Sequence, residues 1–173
     1  MNNDYKKLIP AGFAGDSRVW IYQSNRIFDE AETGQIQEML DGFVKEWHSH
    51  GTPVKGFGGL FFGQFIVLMA DESATGVSGC STDSSVRLIK ETEKKFHVTL
   101  FDRVSLAFFT GDKIQLLPLS QVKHALETGL LDENTPYFNN TVLTRSELES
   151  KWIVPVKESW LAGKFLGERI GGN

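Results

Sequence analysis

The stretch "FIVLMADESATGVSGCSTDSSVRLIKE", residues 65–91, decides how this chain is read. It opens with the longest apolar run, Phe65–Ala70, and two carboxylates, Asp71 and Glu72, close that run. An apolar run without alternation predicts a central strand covered on both faces. Small residues follow, and among them lies Cys80, the single cysteine. Val86, Ile89 and Phe96 then share one helical face, with Leu88 and Thr92 beside it, so a helix is expected from about Thr82 to Phe96.

Upstream, Gly63-Gln64 separates Leu60–Phe62 from the run at Phe65, which predicts a β-hairpin. Asp29 with Glu32 three residues later is a helix capping box. Ile36, Met39, Leu40, Phe43, Val44 and Trp47 follow at helical spacing, and Gly51 and Pro53 mark the end. The segment "RVWIYQ", residues 18–23, reads as a strand apolar on both faces. Residues 1–17 mix Gly, Pro, Asn and charge without period and read as a flexible N-terminal arm.

Downstream, "RVSLAFF" (103–109) and "KIQLL" (113–117) flank Gly111-Asp112 and predict a second hairpin. Short helices are expected from Ser120 to about Thr128 and after the capping box of Thr144 and Glu147, with a last turn or two in "KESWLAGKFL". The order β-α-β-β-α-β matches the split βαβ arrangement. The expected fold class is therefore α+β, with a ferredoxin-like β-α-β-β-α-β core, an extra strand and C-terminal helices, as a single domain over 18–173. Both long helices would cover one sheet face. The other face needs a cover, from the C-terminal third or from a second copy, and with thirteen Phe and four Trp this points to a homodimer.

Composition narrows the function classes. Of 173 residues, 40% are hydrophobic and 23% charged, the balance of a globular domain able to bury its own core. A net charge of −4, with Lys94-Lys95 as the densest basic run, argues against a nucleic-acid partner. One cysteine forms no internal disulfide and fits a cytoplasmic protein. No apolar run suits a signal peptide or a membrane span, so no membrane partner is expected.

The loop after Phe65–Ala70 is the candidate site. A strand end feeding a helix N-terminus presents unpartnered backbone N–H groups, which favour a small anionic ligand. Gly76 and Gly79 allow close approach, and Ser78, Ser81 and Ser84 add hydroxyl donors. A thiol there, Cys80, tends toward a lowered pKa. Asp71, Glu72 and Asp83 oppose an anion, unless Asp83 is satisfied as a cap or by Arg87 and the other two accept loop N–H groups. The ligand-binding set is thus Asp71, Glu72, Ser78, Gly79, Cys80, Ser81, Asp83 and Ser84, within the loop 71–85.

Three readings compete for that set, beside the alternative that the chain is a homodimeric protein-interaction module with no small-molecule site. Ser, Thr, Asp and Gly also make an ordinary strand-to-helix turn. Cys80 is the candidate catalytic residue of a thiol-dependent enzyme or redox sensor, yet none of His48, His50, His97 and His124 has a spacing that ties it to Cys80 as a base. His48 and His50 lack further ligands at metal-binding spacing, so no metal and no cofactor are called for.

"RVWIYQSNR", "FIVLMADESATGVSGCSTDSSVR" and "TRSELESKWIVPVKESW" together resemble a family of small uncharacterised bacterial proteins, common in Bacteroidetes, over about residues 18–166. Members often carry the label "ABC transporter ATPase". The resemblance implies no activity, ligand or catalytic residue. Nucleotide hydrolysis by a P-loop needs GxxxxGK[ST], and no such sequence is present. "VSGCS", residues 77–81, matches the LSGGQ signature of transporter ATPases at two positions of five, which is no substitute.

Overall fold

The computed structural model describes residues 4–71, Ser73 and 79–167, and of 79–81 the backbone alone. The protein is mixed α+β with antiparallel sheets. Where composition reads as one domain, the chain clusters into two compact units: the chain up to Asp102 with Asn140–Glu149, and Arg103–Asn139 with the chain from Ser150.

The N-terminal unit holds β1 (Arg18–Gln23), α1 (Glu30–Glu46), β2 (His48–Ser49), β3 (Thr52–Pro53), β4 (Lys55–Phe61), β5 (Phe65–Asp71) and α2 (Gly79–Phe96). Its main sheet has the order β1-β5-β4, with β5 antiparallel to both neighbours. All seven residues of β5 are buried, as the unbroken apolar run requires. Ile66 and Leu68 pack with Ile36 and Leu40 of α1 and with Leu88 and Ile89 of α2. Phe65, Val67 and Met69 alternate to the opposite face and are equally buried.

These three strands stand in the split βαβ order. The strand that a ferredoxin-like sheet would add at the free edge of β1 lies elsewhere: it is β6 (Ser105–Thr110), in the C-terminal unit. Both edges of β6 are taken there, one by β7 (Lys113–Pro118) across the Gly111 turn, the other by β8 (Pro136–Phe138). The edge of β1 receives instead the returning segment at 143–146: Val19 N–H donates to Leu143 O at 2.9 Å, and Arg145 N–H donates to Ser17 O at 2.9 Å.

Residues 4–8, read from composition as part of a flexible arm, form a 3-10 helix whose Tyr5 is buried against Phe62, centroids 6.1 Å apart. Asp29 caps α1 as a reciprocal capping box with Glu32. The helix ends before the expected Gly51: Trp47 leaves it with extended ψ (117°), and His50-Gly51 turns a small hairpin with both φ positive (51° and 77°).

The C-terminal unit contains β6 and β7, α3 (Leu119–Glu127), β8, and β9 (Ile153–Pro155) in a sheet of order β7-β6-β8-β9. Pro118 precedes α3 without a side-chain cap, so the expected capping role of Ser120 is not realised. Phe108, Val122, Leu131, Tyr137, Val156 and Leu161 form its core. The boundary between units falls within α4 (Arg145–Lys151). Among the described residues no helix is long and apolar enough to cross a membrane.

Candidate functional site

Asp71 ends β5 buried and fully engaged. It accepts hydrogen bonds from Ser73 N–H (2.9 Å), Ser73 Oγ (2.6 Å) and Ala14 N–H (3.5 Å), and Lys55 Nζ lies 3.7 Å away. The Ser73 hydroxyl, then the Ser73 amide, hold its carboxyl below the usual carboxylate range, with Ala14 and Lys55 adding to the effect against desolvation. Lys55 also donates to Gly12 O and lies 4.8 Å over the Phe13 ring. Asp71 thereby ties residues 12–14 to the strand end and starts the loop.

Glu72 and Ser78 lie outside the described residues. Gly79, Cys80 and Ser81 form the first turn of α2, which starts three residues before the expected Thr82. Asp83 is exposed and, among the described residues, forms no ion pair with Arg87. Ser84 is half-buried and faces a cleft that the sequence reading did not find.

That cleft runs between α1 and α2 and has a volume of about 400 Å³. From α1 come Glu38, Met39, Gly42, Phe43 and Glu46; from α2 come Ser84, Arg87, Leu88 and Glu91; Trp47 and His48 close one end. The floor is aromatic and fixed. Phe43 and Trp47 meet at 4.9 Å between centroids, and Trp47 meets Trp20 at 6.0 Å. Trp47 is held from behind by β4, where the position of a Cβ on Gly56 is 2.7 Å from the indole ring. Gly42 lies on the cleft wall, and a Cβ built there meets nothing within 4 Å. Glycine in a helix interior costs about 0.5–1 kcal/mol relative to alanine, and here it leaves space.

Six of the eleven lining residues are polar or charged and four are apolar, and the volume falls in the range of small-molecule sites, roughly 300–1,000 Å³. His48 Nδ1 lies 2.6 Å from Glu46 O. No group of three His, Cys, Asp or Glu side chains that could hold a metal ion occurs among the described residues. A second cleft, in the C-terminal unit, is larger at about 710 Å³ and is lined by Leu126, Leu131, Lys157 and Leu166 among others.

The sequence signal for the α1–α2 cleft was weak: Gly42 is an unfavourable residue inside a helix, but so is Gly34, which does not line the cleft. Comparison with protein-family models, curated proteins and solved structures finds no match for this chain.

Proposed function

We propose that the protein binds a small organic molecule in the cleft between α1 and α2. The observation that carries this reading is the cleft itself: a concave site of about 400 Å³ lined by Phe43 and Trp47, with Gly42 on its wall and open space at the Gly42 Cβ position. Rigid aromatic surface costs little entropy to present, which favours affinity. Ligand binding at the loop 71–85, the expectation from sequence, shifts along the chain onto the face of α2, and Ser84 belongs to both sets. The same reading takes the N-terminal unit as a ferredoxin-like core in which the return at 143–146 stands where a fourth strand would; the order β1-β5-β4 supports it.

A thermal-shift screen of a fragment library against the native protein and Gly42→Leu tests this. A leucine at 42 fills the cleft from an open helix face, so the variant should fold. Fragments are expected to raise the melting temperature of the native protein and to leave that of Gly42→Leu unmoved. Equal shifts in both proteins, or no stabilising fragment at all, would refute the reading.

A further inference from the structure

From the charge and floor of the α1–α2 cleft we infer that its ligand is an organic cation: an ammonium group carried on an apolar body. This rests on the cleft being the binding site. The rim bears three carboxylates, Glu38, Glu46 and Glu91, against one guanidinium, Arg87. Among the described residues none of these four forms an ion pair within the structure. Phe43, half-buried in the lining, offers ring surface to the cleft, and aromatic faces attract cations through their quadrupole. Met39 and Leu88 supply apolar wall for the body of such a ligand. The same chemistry already operates beside the cleft, where the Arg18 guanidinium sits 5.0 Å over the Trp20 ring. An anion would be drawn by Arg87 alone and repelled by the three glutamates.

Calorimetric titration with two probes of similar size and opposite charge, benzyltrimethylammonium and 4-tert-butylbenzoate, separates the possibilities. The cation should bind about tenfold more tightly than the anion, since charge complementarity at a partly desolvated site sets such preferences. Its affinity should fall with added salt, because the rim charges are open to solvent. Removing two rim charges together, in Glu46→Gln/Glu91→Gln, should weaken the cation severalfold, whereas Arg87→Gln should strengthen it. Gly42→Leu should abolish binding while melting as a folded protein. An anion that binds as well as the cation, and is lost in both Arg87→Gln and Gly42→Leu, would overturn the ligand class and leave the cleft as the site. If neither probe binds, or if Gly42→Leu binds them unchanged, the site and the ligand class both fall.

Discussion

The rings of Phe43 and Trp47 meet 4.9 Å apart, centroid to centroid, with an interplanar angle of 41°. Both belong to the C-terminal end of the apolar stripe, yet only Phe43 is helical; Trp47 has left the helix with extended backbone. This break lets the stripe end as the floor of a cleft instead of continuing along the sheet. Two glycines set its shape from opposite sides, and substitutions at them are expected to act with opposite sign.

Gly42→Ala should stabilise the protein. The position is exposed on α1, its Cβ meets nothing within 4 Å, and the helix gains about 0.5–1 kcal/mol from replacing glycine. Urea denaturation should show a higher midpoint with an unchanged slope. A lower midpoint would mean that Gly42 is required for a reason other than open space.

Gly56→Ala should destabilise it. The new Cβ would stand 2.7 Å from Trp47 Cε3 and 3.1 Å from Cζ3, against a ring that is 2% exposed and has no room to retreat. Overpacking of this kind costs about 1–3 kcal/mol. The displaced indole should also weaken ligand binding, although residue 56 does not line the cleft. A variant with native stability and native affinity would show that the Trp47 floor is soft.

Arg26 and Glu32 give an acid-side signature. Arg26 donates to both Glu32 oxygens (2.8 and 2.7 Å) and to Phe96 O (2.8 Å), linking the start of α1 to the end of α2. The Arg26 hydrogen bonds, then the Asp29 amide, lower the Glu32 pKa from 4.5 to about 2. A depressed carboxylate pKa contributes stability that is present above the unfolded value and lost as pH falls through the folded one. The native protein should therefore lose stability more steeply than Glu32→Gln as pH falls from 4.5 toward 2. Parallel stability profiles for the two proteins would contradict this coupling.

Tyr5 gives the alkaline counterpart. Its hydroxyl donates to Leu148 O (3.2 Å), and burial first, the Glu149 charge second, push its pKa from 10.0 up to about 12. A raised pKa contributes stability that is full below the unfolded value and lost as pH rises through the folded one. Ultraviolet titration should show ionisation near pH 12, and Tyr5→Phe should diminish that late phase, leaving the part that belongs to Tyr137, whose pKa burial also raises. The variant should also lose about 1 kcal/mol of stability with the buried hydrogen bond. Ionisation of Tyr5 at the ordinary value of 10.0 would place the N-terminal 3-10 helix off the unit.

The parts of the fold that were legible in the sequence are those set by neighbours along the chain. The Asp29–Glu32 capping box, the turn at Gly63 and the hairpin at Gly111 each need only a few consecutive residues, and each forms. The destination of β6 was not legible, because sheet membership depends on what else competes for an edge. β8 and β9, at three residues each, are too short to announce themselves, yet β8 takes the free side of β6. The burial of Tyr5 depends likewise on Leu148, far along the chain. The cleft was hidden for the same reason: Phe43 and Trp47 read as core stripe, Arg87 and Glu91 as solvated helix face, and only packing of α1 beside α2 joins them. Asp71 was visible as a polar residue at a strand end, but its use, in holding Ser73 and Ala14, lies in bonds no spacing foretells.

The most direct measurement is an amide chemical-shift map recorded while benzyltrimethylammonium is added. Saturable shifts confined to Gly42, Phe43, Trp47, Arg87 and Glu91, the walls and floor of the cleft, are the predicted result. Shifts centred instead on Leu126, Leu131 and Lys157, which line the other cleft, or no saturable shifts at all, would contradict the assignment of the α1–α2 cleft as the binding site.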